Sequence, residues 1–134
     1  MDAGDKKKLM AAAMEARDGA RAHHSKFPVG AALLTAEGKI IKGANVESDS
    51  YGLTCCAERT ALFHAVTDGH KNFIAVAVVA DAALPTPCGA CRQLLWEYAP
   101  DAIVLVANNA RTSEIHEFTV RELLPHPFIF KSSE

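Results

Sequence analysis

Ile74-Ala75-Val76-Ala77-Val78-Val79-Ala80 is an unbroken apolar run with three valines. A short run of this kind, with no polar residue on either face, predicts a central strand covered on both sides. Helical patterns flank it. Before it, Cys56 to Val66 places Ala57, Ala61, Leu62 and Ala65 at helical spacing. After it, Thr86-Pro87 offers a cap and a first-turn proline, and the pattern runs to about Tyr98, where Pro100 stops it. Ala102 to Ala107 then reads as a second buried strand. Strands separated by helices predict an α/β protein, with a mixed sheet carrying helices on its faces.

Further from this centre the patterns are weaker but consistent. Residues 5–22 predict an amphipathic helix through Leu9, Ala13, Ala16 and Ala20. Residues 29–35 and 40–43 predict a β-hairpin around Ala36-Glu37-Gly38-Lys39, and Asn45 to Thr54 a polar loop. Asn108-Asn109 turns the chain, Ser113 to Thr119 suits an edge strand, and Val120 to Leu124 a short helix ended by Pro125. The 134 residues, without linker, repeat or low-complexity stretch, suit one domain spanning 1–134.

The net charge is −2 and Lys6-Lys7-Lys8 is the one basic run, so no groove for duplex nucleic acid is expected. Met1 to Arg17 has neither a long apolar segment nor a cleavage pattern, which argues against a signal peptide or membrane span and for a cytoplasmic location. Cysteines kept reduced there serve metal binding or catalysis before disulfides.

Both cysteine motifs fall where a helix is predicted to begin: Cys56-Ala57-Glu58 and Pro87-Cys88-Gly89-Ala90-Cys91. Helix N-termini carry unpaired N–H groups and a positive dipole end, which stabilise thiolates. Three thiolates are one short of a closed zinc site, and a tetrahedral Zn²⁺ with three protein ligands keeps a position open for water. Glu58, two residues from a ligand, is placed to move that water's protons. The three thiolates leave an excess negative charge, for which Arg59 and Arg92 are the candidate counter-ions. Cys55 reads as a core residue, since the side chains of adjacent cysteines diverge. The six histidines, His23 and His24 among them, make no ligand-spaced pair with the cysteines.

Cys-x-Glu followed by Pro-Cys-x-x-Cys resembles the signature of the zinc nucleoside and nucleobase deaminases. Within that class the chain is most similar to the small homotetrameric cytidine deaminases. The likeness runs from about residue 9 to 128 and includes Ser25 to Leu33, Asn45-Val46-Glu47, Cys56 to Ala61, Pro87 to Gln93 and Glu122 to Pro125. It implies a three-layer α/β/α fold with a mixed five-stranded sheet. It further implies one Zn²⁺ per subunit on Cys56, Cys88 and Cys91, with Glu58 as proton shuttle. By the same resemblance, the Ala57 backbone and Phe27 face the base, and Asn45 and Glu47 hold the ribose 3′-hydroxyl. Arg59 and Gln93 would support the thiolates. Tyr51 and Phe128 would complete a neighbour's pocket in a homotetramer with shared active sites. The implied reaction is hydrolytic deamination of cytidine and deoxycytidine in pyrimidine salvage.

The chain departs from that pattern in four places. His23-His24 stands where Pro-Tyr is usual, Ala44 where cysteine is, Asp49 where alanine is common, and Ile129-Phe130-Lys131 replaces an acidic tail. Two alternatives follow. One keeps the chemistry on another aminopyrimidine, such as a 4-N-modified cytidine, a free base or an aminated antibiotic. The other is a structural zinc module, closed by Cys55 or a histidine.

Overall fold

A computed structural model describes residues 1–130; the departure at Lys131 lies outside them. Five strands form one mixed sheet in the order β2-β1-β3-β4-β5: β1 (Gly30–Thr35), β2 (Ile40–Ala44), β3 (Phe73–Ala80), β4 (Ile103–Asn108) and β5 (His116–Thr119). β1 pairs antiparallel with both β2 and β3, β3 pairs parallel with β4, and β4 antiparallel with β5. The helices are α1 (Ala3–Arg17), α2 (Ala57–Thr67), α3 (Gly89–Tyr98) and the short α4 (Val120–Leu123). Among them none is long and apolar enough to cross a membrane.

The central run behaves as its composition requires. Successive strand residues face opposite sides, so Val76 and Val78 pack with Val104, Val106, Leu33, Ala61, Leu62 and Leu95 under α2 and α3. Ala75, Ala77 and Val79 pack with Ala32, Leu105 and Ala107 against Leu9, Met10 and Ala13 of α1. Two cores thus sandwich one sheet in three layers, as the resemblance implied. The α1 side is rich in alanine, and this helix sits very close. A Cβ built on Gly30 would lie 2.0 Å from the Ala13 carbonyl oxygen. On the other face a Cβ on Gly43 would lie 2.4 Å from the Ala61 amide nitrogen and 2.7 Å from the Ala57 oxygen.

Local boundaries differ from the sequence reading in ways that trace to tertiary contacts. Helix α1 ends at Arg17 instead of reaching residue 22. The Asp18 amide closes the last turn on Glu15 and Ala16. Arg21 then leaves the helix to pair its backbone with Asn45 and Glu47. Helix α3 starts at Gly89 with Cys88 at the N-cap, not at Pro87. Thr86 accepts from the Arg92 guanidinium instead of capping. The edge strand begins at His116, not Ser113, and the predicted polar loop contains a 3-10 turn over Tyr51–Leu53.

Candidate active site

The N-termini of helices α2 and α3 meet at their N-cap cysteines. Cys56 and Cys88 are the N-cap residues of the two helices, and neither side chain is used as a cap. Their sulfurs are 3.8 Å apart, Cys91 Sγ is 3.5 Å from Cys88 Sγ, and all three thiols lie within 4.8 Å of one another. A tetrahedral ion with Zn–S bonds of about 2.3 Å spaces its sulfurs about 3.8 Å apart, so the set fits zinc without rearrangement. Cys55 lies outside this cluster and accepts from the Thr60 hydroxyl at 3.6 Å.

Of the two candidate counter-ions, the structure brings Arg59 to the thiols. Its guanidinium donates to Cys56 Sγ at 3.6 Å and to the Thr54 carbonyl at 3.3 Å. Arg92 is spent on backbone, donating to Pro87 O at 2.7 Å and Leu123 O at 2.9 Å. Hydrogen bonding from Cys91 and then from Arg59 brings the Cys56 thiol down to about 5, against the cost of burial. Its bond to Cys56, with burial second, holds the Cys91 thiol well above the usual thiol range.

Glu58 follows Ala57 on the first turn of α2 and is 6% exposed. Burial, with the Cys56 thiolate adding to it, pushes its carboxyl up to about 7. It lines a cleft of about 210 Å³ together with Phe27, Val29, Val78, Ala80, Pro85 and Thr86. This is a small apolar pocket with one buried carboxyl beside three convergent thiols. Ala57 is fully buried beside it.

A second cleft of about 330 Å³ is lined by His24, Ser25, Glu47, Tyr51 and Thr54. The 24–29 segment contributes to both clefts and is held by two residues that the sequence reading gave to the sugar. The Asn45 amide accepts from the Val29 N–H at 2.9 Å and donates to the Phe27 carbonyl at 3.0 Å. The Glu47 carboxylate accepts from the His24 and Ser25 amides at 2.8 and 3.0 Å and from the Ser25 hydroxyl. These bonds hold Glu47 below the ordinary carboxylate range, the Ser25 hydroxyl first among them. Between these anchors Lys26 adopts a left-handed backbone with φ of 58° and turns Phe27 toward the cleft.

Gln93 is a correction. Its amide was expected on the thiolates, but both of its ends are occupied elsewhere. Nε2 donates to Glu97 and to the Phe128 carbonyl, each at 2.9 Å, and Oε1 accepts from the Phe128 N–H at 3.0 Å. Gln93 therefore ties the C-terminal segment to α3. Phe128 and Tyr51 remain largely exposed, with the Tyr51 ring edge-on to His24 at 5.1 Å.

Several participants were not singled out from sequence: the Ser25 hydroxyl, the Thr54 carbonyl, Pro85, and the pairing of Asp49 with His23 and His24. Val78 and Ala80 could have been found, since they share a face at the end of the central strand just before the second motif. The others depend on loop closure, which has no periodicity to read.

A zinc centre of three thiolates with a buried carboxyl on a three-layer α/β/α scaffold defines a class of hydrolytic metalloenzyme. Residues 3–107 match the cytidine and deoxycytidylate deaminase zinc-binding region, and the chain belongs to this family. It is 50% identical over 125 residues to a cytidine deaminase of Halalkalibacterium halodurans, covering 92% of this chain and 94% of the relative. A cytidine deaminase of Sporosarcina psychrophila is 48% identical over 125 residues, with 92% and 91% covered. The solved cytidine deaminase of Burkholderia pseudomallei superposes with a TM-score of 0.85 at 44% identity, covering 90% of this chain and 97% of that one. Zinc is accordingly the cofactor of this chain, with Cys56, Cys88 and Cys91 forming a cluster able to hold it.

Proposed function

We propose that the chain catalyses hydrolytic deamination of cytidine and deoxycytidine, giving uridine or deoxyuridine and ammonia. The observation that carries this reading is the buried Glu58 carboxyl in an apolar cleft beside three convergent thiols. Relatives covering more than nine-tenths of the chain are cytidine deaminases, which favours cytidine over other aminopyrimidines.

Cys56, Cys88 and Cys91 would hold zinc, which would supply Lewis acidity to the site. Glu58 would take a proton from the attacking water and pass it to N3 of the pyrimidine as the oxygen adds to C4. It would then take the proton of the new C4 hydroxyl and deliver it to the 4-amino group, which leaves as ammonia as the C4 carbonyl forms. A buried carboxyl, its affinity for protons raised by desolvation, can both take and give a proton. Arg59 offsets the charge of the thiolates. Phe27, with the Ala57 backbone, offers the base a flat apolar surface, and the cleft excludes bulk water.

At the sugar, Asn45 retains one amide N–H and Glu47 one lone pair after their loop bonds are counted. A donor and an acceptor together read one hydroxyl. Recognition of the 3′-hydroxyl alone leaves the 2′ position unread, so both sugars are substrates. The chain acts as a single domain in a homotetramer with shared active sites, in the cytoplasm, in pyrimidine salvage. Exposed Tyr51 and Phe128 support the assembly.

The test is ammonia release from cytidine and deoxycytidine by zinc-loaded protein. Glu58→Ala should lose about 10²–10⁴-fold in kcat, the span of a general acid–base, while keeping its zinc. Full activity in that variant would remove the proton shuttle.

A further inference from the structure

We propose that His23, His24 and Asp49 form a second divalent-cation site, at the rim of the cleft lined by Glu47 and Tyr51 and distinct from the three-thiolate centre. His24 Nε2 lies 3.0 Å and His23 Nε2 3.4 Å from the same Asp49 oxygen. The three ligand atoms are all within 4.8 Å of one another. A tetrahedral ion with bonds of about 2.0–2.1 Å to nitrogen and oxygen spaces its ligands about 3.3 Å apart, so the donors stand at coordination distance. Two imidazoles and one carboxylate are the donor set of imidazole-seeking late first-row ions such as Zn²⁺, Ni²⁺ and Cu²⁺, and not of Mg²⁺ or Ca²⁺. The Asp49 side chain is 93% exposed, which leaves room for water to complete the sphere.

The alternative is an ordinary ion pair. It accounts for one imidazolium on Asp49. Two tilted rings with centroids 4.2 Å apart both aim Nε2 at one carboxylate oxygen, a convergence that a single ion pair does not require. The position is also braced: the His24 amide donates to Glu47 at 2.8 Å and its ring abuts Tyr51.

A consequence rests on the proposed deaminase function. An ion there would tie the Asp49 loop to residues 23–24 and narrow the mouth of the sugar-facing cleft. Nucleoside KM then rises while kcat, set at Glu58, does not change.

The experiment is calorimetric titration of zinc-loaded protein with Ni²⁺, followed by metal analysis, which distinguishes Ni²⁺ from the resident zinc. One further equivalent per chain is expected. His23→Ala and Asp49→Ala, both at exposed positions, should each weaken it by about tenfold or more with the resident zinc retained. No uptake up to about 1 mM Ni²⁺, a free energy of only about 4 kcal/mol, overturns the site, as does undiminished uptake in the double variant. Saturation with unchanged KM for cytidine overturns the narrowing of the cleft. Because uptake is read without turnover, failure of the deaminase reading leaves the site's own test intact.

Discussion

At Glu58, burial has taken a carboxyl that ordinarily ionises at 4.5 and pushed it up to about 7. The unfolded chain therefore gives up this proton more readily than the folded one, so stability falls as pH rises from 4.5 through 7. Each pH unit of such displacement is worth about 1.4 kcal/mol, so the metal-free protein forfeits about 3 kcal/mol above neutrality. Glu58→Gln keeps the shape and cannot ionise. In urea denaturation of metal-free protein it should raise stability by about this amount at pH 8 and by little at pH 4.5. An equal effect at both pH values would mean that packing, not ionisation, sets the cost. Arg59 has the opposite character. Its bond to Cys56 Sγ offsets the negative thiolates, and partners that support metal ligands are typically worth 10–100-fold in metal affinity. Arg59→Ala should lower zinc affinity by about that factor in a chelator competition. Arg92→Ala, whose contacts are to Pro87, Leu123 and Thr86, should not. By position the two arginines are equals, because each directly follows a cysteine motif, and the family resemblance alone favours Arg59. What separates them is the set of acceptors the folded loops bring to each guanidinium, and that set leaves no mark in a sequence.

At the scale of elements, the site depends on how closely α2 and α3 approach the sheet. Gly43 lets the backbone of α2 rest on β2, and Gly30 lets α1 rest on β1 from the other face. A methyl at either position meets main-chain atoms that cannot rotate away. Each alanine variant should lose about 1–3 kcal/mol of stability, the usual cost of overpacking. The two should differ at the metal. Gly43→Ala pushes directly on Ala57 and Ala61, the helix whose first residues follow Cys56, so zinc affinity falls with stability. Gly30→Ala presses on Ala13 and Arg17, across the sheet from the thiols, so zinc affinity is nearly kept. Equal loss of zinc in both would show that the centre follows global stability. The element order was legible because the central strands are continuous apolar runs and the helices have helical spacing. The ends were less so. Residues 18–22 have helical composition, yet Arg21 gains two backbone bonds to the Asn45–Glu47 segment by leaving the helix. Long-range pairing of that kind outweighs a weak local propensity.

For the whole molecule, the distribution of exposed apolar side chains is the remaining observation. Tyr51 is 74% exposed, Leu53 75%, Phe128 69% and Phe130 86%. Gln93 meanwhile holds the Phe128 backbone in a defined place by two hydrogen bonds and is itself tied to Glu97 by a third. Rigidly presented aromatic groups on a protein surface mark contact sites, since burying one such side chain is worth about 1.5–3 kcal/mol. In the proposed homotetramer they are covered by other copies of the chain. Leu53 and Phe130 have no assigned part in binding nucleoside, so charge placed there acts on assembly first. Sedimentation of the native protein at assay concentration should give a tetramer, and the Leu53→Asp/Phe130→Asp double variant smaller species. If Tyr51 and Phe128 complete a neighbour's pocket, dissociation must also raise KM for cytidine. Raising the variant's concentration until tetramer returns should then restore KM along with mass. A variant that sediments as monomer with native KM would leave the contact surface standing and refute shared active sites. A native protein that is monomeric and fully active would refute both.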